Sequence, residues 1–285
     1  MLAKHTKTQS RVPPVAYFLV SAIFHYLGPA FAVLLFAQVE VLGVAWLRIA
    51  SAAVIFALWR HPWQLFIKST WKRRRLLFAF GAVLALMNAS FYLAISRLPL
   101  GTVGAIEFVG QIVLAAIGVR SRRNLLALGF AIAGGGLLTN VQHEGQLIGF
   151  VFAVANGILF MLYIVLGHRI AQDGGNPGIT RLAASMLIAF LVISPIGFRE
   201  ALPAFSSVQL LMAGIGVGIC SSVIPYITDQ LAMARLPRAT FALMLSLLPA
   251  IAVGIGALVL GQIPAGIEIV GILLIMFGVA MHQPI

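Results

Sequence analysis

The sequence predicts an all-α membrane protein: ten transmembrane helices in two inverted five-helix repeats around a central cavity, with both termini in the cytoplasm. Three observations carry this expectation. The chain is 61% hydrophobic and 9% charged, with a mean hydropathy of +1.05, well outside the range of soluble domains. Apolar runs of about 20 residues, the length a bilayer core of about 30 Å requires of a helix, recur along the whole chain. One turn is also written twice, because LAISRLPLG at 93–101 returns 138 positions later as LAMARLPRA at 231–239, with five of the first seven letters identical.

The expected spans are 14–36, 39–59, 76–96, 100–119, 125–139, 147–167, 179–197, 209–233, 239–260 and 265–282, the fifth being short. They lack the in-out alternation of barrel strands, so helices are the remaining way to satisfy backbone polar groups in lipid. The first span exceeds the apolar core of a cleavable signal, about 7 to 15 residues, and is expected to remain as a helix. The implied organisation is a cytoplasmic segment at 1–13, a first repeat at 14–139, an external connector at 140–146, a second repeat at 147–282 and a tail at 283–285. The longest polar loop, Arg60 to Arg75, is too short to enclose a core of its own.

The net charge of +12 raises nucleic acid as a partner, and the positions of the basic residues exclude it. With the N-terminus in the cytoplasm, sixteen of the nineteen Lys and Arg residues fall on that side, including Lys72, Arg73, Arg74 and Arg75 and the RSRRN run from Arg120. Only Arg97 and Arg199 lie outside, and Arg48 is within the second span. This is the positive-inside asymmetry, with lipid head groups as the partners of the basic loops.

The duplicated turn follows the third and the eighth spans. Five spans separate the two copies, so they emerge on opposite faces of the membrane. Thr102 matches Thr240 in the same register, and Gly129 and Gly134 match Gly266 and Gly271 after a one-residue gap. An odd number of spans per half makes the repeat inverted, the construction of many secondary transporters, whose substrate site lies at the repeat interface near the midplane.

Polar residues inside the spans mark one wet stripe per helix. Asn88 and Tyr92 share a face, as do Glu107 and Gln111; Asn156, Phe160 and Tyr163 stack on another, and Ser222, Tyr226, Asp229 and Gln230 fall on adjoining turns. Such residues usually face a bundle interior or a water-filled cavity. The candidate substrate-binding residues are therefore His25, Tyr26, Asn88, Tyr92, Glu107, Gln111, Asn156, Tyr163, Tyr226 and Gln230. For Ser221, Ser222, Ser246 and Asn156, hydrogen-bonded helix packing is the alternative to cavity lining. Arg48 and Asp229 are structural or coupling charges. Arg48 is the natural cationic counterpart of Glu107 or else a donor to helix-terminal carbonyls, and Asp229 is placed toward the cytoplasmic end, where solvation is easy. Pro29, Pro225 and Pro249 are expected to bend their helices. The AGGGLL run in the fifth span reads as close helix packing.

Enzymatic chemistry has no visible basis. The single Cys220 and scattered histidines offer neither a disulfide framework nor a metal set, and no P-loop is present, so the sequence implies no cofactor, no metal and no direct drive by ATP.

Three stretches carry a family resemblance: WLRIASA at 46–52, MNASFYLAISRLPLGTVGAIEFVG at 87–110, and SSVIPYITDQLAMARLPRATFALMLSLLPAIAVGIGALVLGQ at 221–262. Over nearly its whole length the chain resembles the EamA-type branch of the drug/metabolite transporter superfamily, and within it bacterial amino-acid exporters of the threonine/homoserine type. The resemblance implies two EamA-like five-helix halves, a seat in a bacterial-type inner membrane, and export of amino acids or related metabolites. Leu248 before Pro249 and Gln262 at the end of the ninth span stand where such exporters usually have acids, and Gln111 stands where they tend to have proline. Losing two carboxylates removes the groups on which a borrowed proton relay would depend. Neutral, hydrophobic or aromatic amino acids are the expected substrates, with drugs or other metabolites as the alternative and a membrane-embedded enzyme as a third reading. Phosphorylated substrates would require several intramembrane cations, and Arg48 is alone.

Overall fold

The computed structural model describes residues 13–109, 121–140, 147–171, 176–236, 241, 244 and 247–281. Most of the N-terminal segment, the 141–146 part of the connector, the 283–285 tail, Gln111, Thr240 and Ser246 lie outside the described residues. All regular elements described are helical. They are α1 (Pro14–Leu35), α2 (Val41–Arg60), α3 (Trp63–Lys68), α4 (Trp71–Ile95), α5 (Leu100–Ile106), α6 (Arg122–Asn140), α7 (Leu147–Ala171) and α8 (Asn176–Ala201). A 3-10 turn at Leu202–Ser206 leads to α9 (Val208–Gly218), a π-helical turn (Ile219–Val223) and α10 (Ile224–Met233), followed by α11 (Leu248–Leu260) and α12 (Gly266–Met281).

Among the described residues, six helical stretches are long and apolar enough to cross a membrane: α1, α2, α4, α7, Gly178–Ser206 and the continuous Val208–Met233. The spans expected over 100–119, 125–139, 239–260 and 265–282 are met by α5, α6, α11 and α12, in part or in full. The fourth span departs from expectation, since its described helix closes at Ile106 and Glu107 and Phe108 form a turn. The backbone of that turn lies against Gly157 of α7, where a Cβ would come within 2.8 Å of the Glu107 carbonyl.

The duplicated sequence folds into duplicated turns. Ser96 N–H donates to the Tyr92 carbonyl, and Arg97 and Leu98 N–H donate to that of Ala94; Ala234, Arg235 and Leu236 repeat the pattern on Gln230 and Ala232. Each arginine then covers a ring, Arg97 over Phe152 at 5.8 Å and Arg235 over Tyr17 at 5.0 Å. Pro99 introduces α5, whose first N–H, on Leu100, is capped by Gln262 Oε1 at 2.9 Å. The side chain at 262 thus closes a helix end that would otherwise lack an acceptor.

The most extensive packing joins α2 to α8, α6 to α12, and α4 to both α7 and α8. Lipid supplies no hydrophobic drive between helices, so close approach at small residues holds them. Gly134 on α6 and Gly271 on α12 face one another, and a Cβ on Gly134 would come within 2.5 Å of the Gly271 carbonyl. The glycine run does not act uniformly, because Gly135 meets open space. Large apolar side chains such as Val54, Leu58, Leu191 and Leu258 are exposed, as a lipid-facing surface requires.

These contacts set a comparison. Gly134→Ala should destabilise the detergent-solubilised protein by about 1–3 kcal/mol through backbone overlap, whereas Gly135→Ala should be neutral or stabilise by up to about 1 kcal/mol through helix propensity. Thermal unfolding of the two variants side by side tests this, and equal effects would contradict the packing described.

Candidate functional site

The interior polar groups form three clusters, each built around one buried charge or potential charge. The first is Glu107, 1% exposed, on the turn after α5. The Tyr26 hydroxyl of α1 donates to its Oε2 at 3.0 Å, and Asn156 Nδ2 of α7 donates to its Oε1 at 2.9 Å. A carboxylate has about four lone-pair positions, so two remain.

The second cluster centres on Arg48 of α2, 2% exposed. Its Nε donates to Ser222 Oγ at 2.8 Å, and its Nη2 donates to the Ser221 carbonyl at 2.6 Å and to the Tyr226 hydroxyl at 3.3 Å. The guanidinium also sits over the rings of Tyr92 and Tyr226, 5.3 and 5.9 Å from their centroids. Pro225 explains the carbonyl contact. It has no N–H to offer the residue four positions earlier, so Ser221 lacks its ordinary helix donor and Arg48 supplies one. Two glycines make the approach close: a Cβ on Gly28 would overlap Ser221, and one on Gly218 would overlap Ser51 and the Arg48 carbonyl. The Asn88 amide donates to the Leu84 carbonyl at 2.6 Å and exchanges hydrogen bonds of 3.0 and 3.2 Å with the Tyr226 hydroxyl.

The third cluster holds Asp229 of α10. Ser21 Oγ donates to its Oδ1, and the Tyr163 hydroxyl donates to its Oδ2 at 2.7 Å. Rings connect the clusters. Tyr163 lies 5.6 Å from Tyr226 and 5.8 Å from Phe160, and His25 lies 5.7 Å from Phe160 and 5.5 Å from Tyr26.

Of the two roles left open for Arg48, the geometry is that of a donor to a backbone carbonyl, that of Ser221, and no ion pair with Glu107 forms among the described residues. Asp229 is 6% exposed and bonded on both oxygens rather than solvated at a helix end. Pro29 lies inside α1, Pro225 follows directly on the π-helical turn within the continuous Val208–Met233, and Pro249 stands in the first turn of α11. Nine of the ten candidate binding residues are buried, and Gln111 lies outside the described residues. Ser21 went unrecognised in the sequence; its four-residue spacing from His25 was the available signal. Trp46, whose indole donates to Ser194 Oγ at 2.9 Å, was also missed.

Among the described residues, three side chains in this interior carry buried polar atoms without partners, the Tyr92 hydroxyl, Asn156 Oδ1 and Ser221 Oγ, while the Gln230 amide, also without partners, lies apart against Gly167 and Gly178. Each such atom costs about 1–3 kcal/mol. The concentration of the first three beside two opposite charges suits a polar guest. No metal-binding group of three or more His, Cys, Asp or Glu occurs among the described residues.

Known proteins match this chain at the level of both sequence and fold. The pattern of the EamA-like transporter family matches residues 147–282. The threonine/homoserine exporter RhtA of Salmonella typhimurium (strain LT2) is 32% identical over 263 residues, covering 91% of this chain and 87% of the exporter. That of Escherichia coli (strain K12) is 32% identical over 264 residues with the same coverage. The chain belongs to the EamA-like transporter family. A solved crystal structure shares the fold, with a TM-score of 0.61 at 16% identity over 94% of this chain and 96% of the other. EamA-family membership and the six long apolar helices make this a multi-pass membrane protein. Its polar interior is accordingly the interior of a transporter.

The Arg48–Ser221 contact is testable through Pro225. Arg48→Met should destabilise the protein strongly, and the loss should be smaller in a Pro225→Ala background, where residue 225 can again donate an N–H. A double-mutant cycle by chemical unfolding should return a coupling of about 1–3 kcal/mol; zero coupling would remove the carbonyl from the explanation.

Proposed function

We propose that this EamA-family protein is an inner-membrane carrier that exports amino acids, namely neutral, hydrophobic or aromatic ones and related small zwitterions, by facilitated or exchange-type alternating access. The observation that carries this reading is the separation of two fixed charges that do not neutralise each other. Glu107 is held by two neutral donors and Arg48 by neutral acceptors. Near Glu107, the unpartnered Asn156 Oδ1 is a second acceptor for an ammonium. Beside Arg48, whose Nη1 has no partner among the described residues, the unpartnered Tyr92 hydroxyl is a second donor for a carboxylate. A zwitterion bridging the two satisfies all four groups. His25, Tyr26, Tyr163 and Tyr226 complete the binding surface as rings. The relatives that are named threonine/homoserine exporters are consistent with this class of substrate.

The carrier is two inverted five-helix halves, 14–139 and 147–282, with cytoplasmic termini. This is supported by repeat-related residues that touch: Asn88 bonds to Tyr226, 138 positions away, and Gly134 faces Gly271. Positions that contact their own counterparts must lie near a two-fold axis, so the axis passes between α4 and α10 and between α6 and α12. A substrate site on that axis, which lies in the membrane plane, opens alternately to the two sides as the halves rock.

Counterflow of labelled amino acids in proteoliposomes, with and without a pH gradient, tests the reading. Neutral amino acids should exchange. Glu107→Gln should raise the half-saturating concentration at least about tenfold, the loss of one charged contact of about 1.5–3 kcal/mol. Transport of cationic drugs but of no amino acid would overturn the substrate class. Cysteines replacing Arg97 and Arg235 should be labelled from outside and inside the cell respectively, and same-side labelling would refute the inversion.

A further inference from the structure

A cavity of about 10 Å³, room for about one water, lies between α1, α7, α10 and α11. Its polar lining is Ser21, His25, Tyr163 and Asp229, and Phe18 and Phe160 close it among other apolar side chains. The zwitterion receptor does not use Asp229. No cation neutralises this carboxylate among the described residues, and both of its oxygens accept from hydroxyls. The His25 ring faces the same cavity and makes no hydrogen bond among the described residues.

We propose that Asp229 is a proton-binding site that couples export to proton entry, with His25 and one cavity water relaying the proton. The inference rests on the carrier reading and on the topology above. Ionised, Asp229 only accepts, and it clamps Ser21 of α1 and Tyr163 of α7 onto α10, the half-helix leading to the cytoplasmic RLP turn. Protonated, the carboxyl donates one O–H, so one facing hydroxyl must reverse from donor to acceptor; Ser21, whose Oγ also donates to the Pro225 carbonyl at 3.2 Å, can do so, and the clamp loses its charge-assisted bond and weakens. His25 can take a proton on one ring nitrogen while releasing another from the second, leaving its own charge unchanged.

The remaining titratable and charged neighbours are arranged around this cluster. Tyr226 separates Tyr163 from Arg48, Tyr26 separates His25 from Glu107, and His168 packs behind Phe241, which also lines the cavity. Among the described residues, no lysine or arginine lines it. The cycle balances as follows. A proton entering from outside neutralises Asp229, the clamp opens, and the carrier turns inward. The proton leaves to the cytoplasm, an amino acid binds, and the ionised carboxylate re-forms the clamp as the carrier turns outward. Each cycle exchanges one zwitterion outward for one proton inward, and so moves one positive charge inward.

Proteoliposomes containing the full chain test the proposal in two assays. Amino-acid counterflow without a gradient reads the carrier itself, and accumulation driven by an imposed pH gradient reads the coupling. Wild-type protein should show both. Asp229→Asn should keep counterflow within about threefold and lose accumulation, and His25→Gln should slow gradient-driven transport at least about tenfold more than it slows its own counterflow. Absence of counterflow in the wild type would overturn the carrier reading, whereas counterflow without any response to the gradient would overturn only the coupling. Gradient-driven accumulation by Asp229→Asn would also overturn it. If Asp229→Asn does not fold, Tyr163→Phe and His25→Gln decide, and undiminished accumulation by both refutes the site.

Discussion

A carbonyl inside hydrocarbon needs a donor, and Pro225 cannot give Ser221 the N–H that an α-helix places four positions on. Arg48 meets that carbonyl, and much of the interior follows from that contact. The guanidinium must cross from α2 to the π-helical turn, which demands backbone proximity that only Gly28 and Gly218 permit. Once there, it fixes Ser222 and Tyr226, and Tyr226 in turn fixes Asn88. A charge that lipid would otherwise exclude is held by neutral groups at the centre of the helix bundle.

Because Arg48 is engaged in this way, Glu107 is left to Tyr26 and Asn156. Had the two charges met directly, the interior would hold a closed ion pair with little need for a guest. Held apart, they leave two opposite charges, each with an unpartnered polar atom nearby among the described residues: Asn156 Oδ1 by Glu107 and the Tyr92 hydroxyl by Arg48. Asp229 occupies a third environment of hydroxyls around a water-sized space. The three ionisable groups thus sit on one connected set of aromatic rings, a geometry in which binding at one can alter helix contacts at another.

Much of the architecture was legible in the sequence because lipid imposes simple rules. Apolar length marks α1, α2, α4 and α7, and the duplicated RLP foretold two turns that share their hydrogen bonds. Helical spacing correctly placed Tyr26, Tyr92, Tyr163 and Tyr226 in the interior, since a phenol within a span needs a partner or a cavity. Which charge meets which partner was decided only by the tertiary structure. Spacing along a helix defines a face but not the rotation and separation of its neighbours, so Arg48 could be assigned to Glu107 as readily as to Ser221. Ser21 looked like any small packing residue until α10 brought Asp229 against it. The break at Glu107 likewise depends on Gly157, fifty positions further along the chain and on another helix. Periodicity reports what faces inward; long-range packing determines what it finds there.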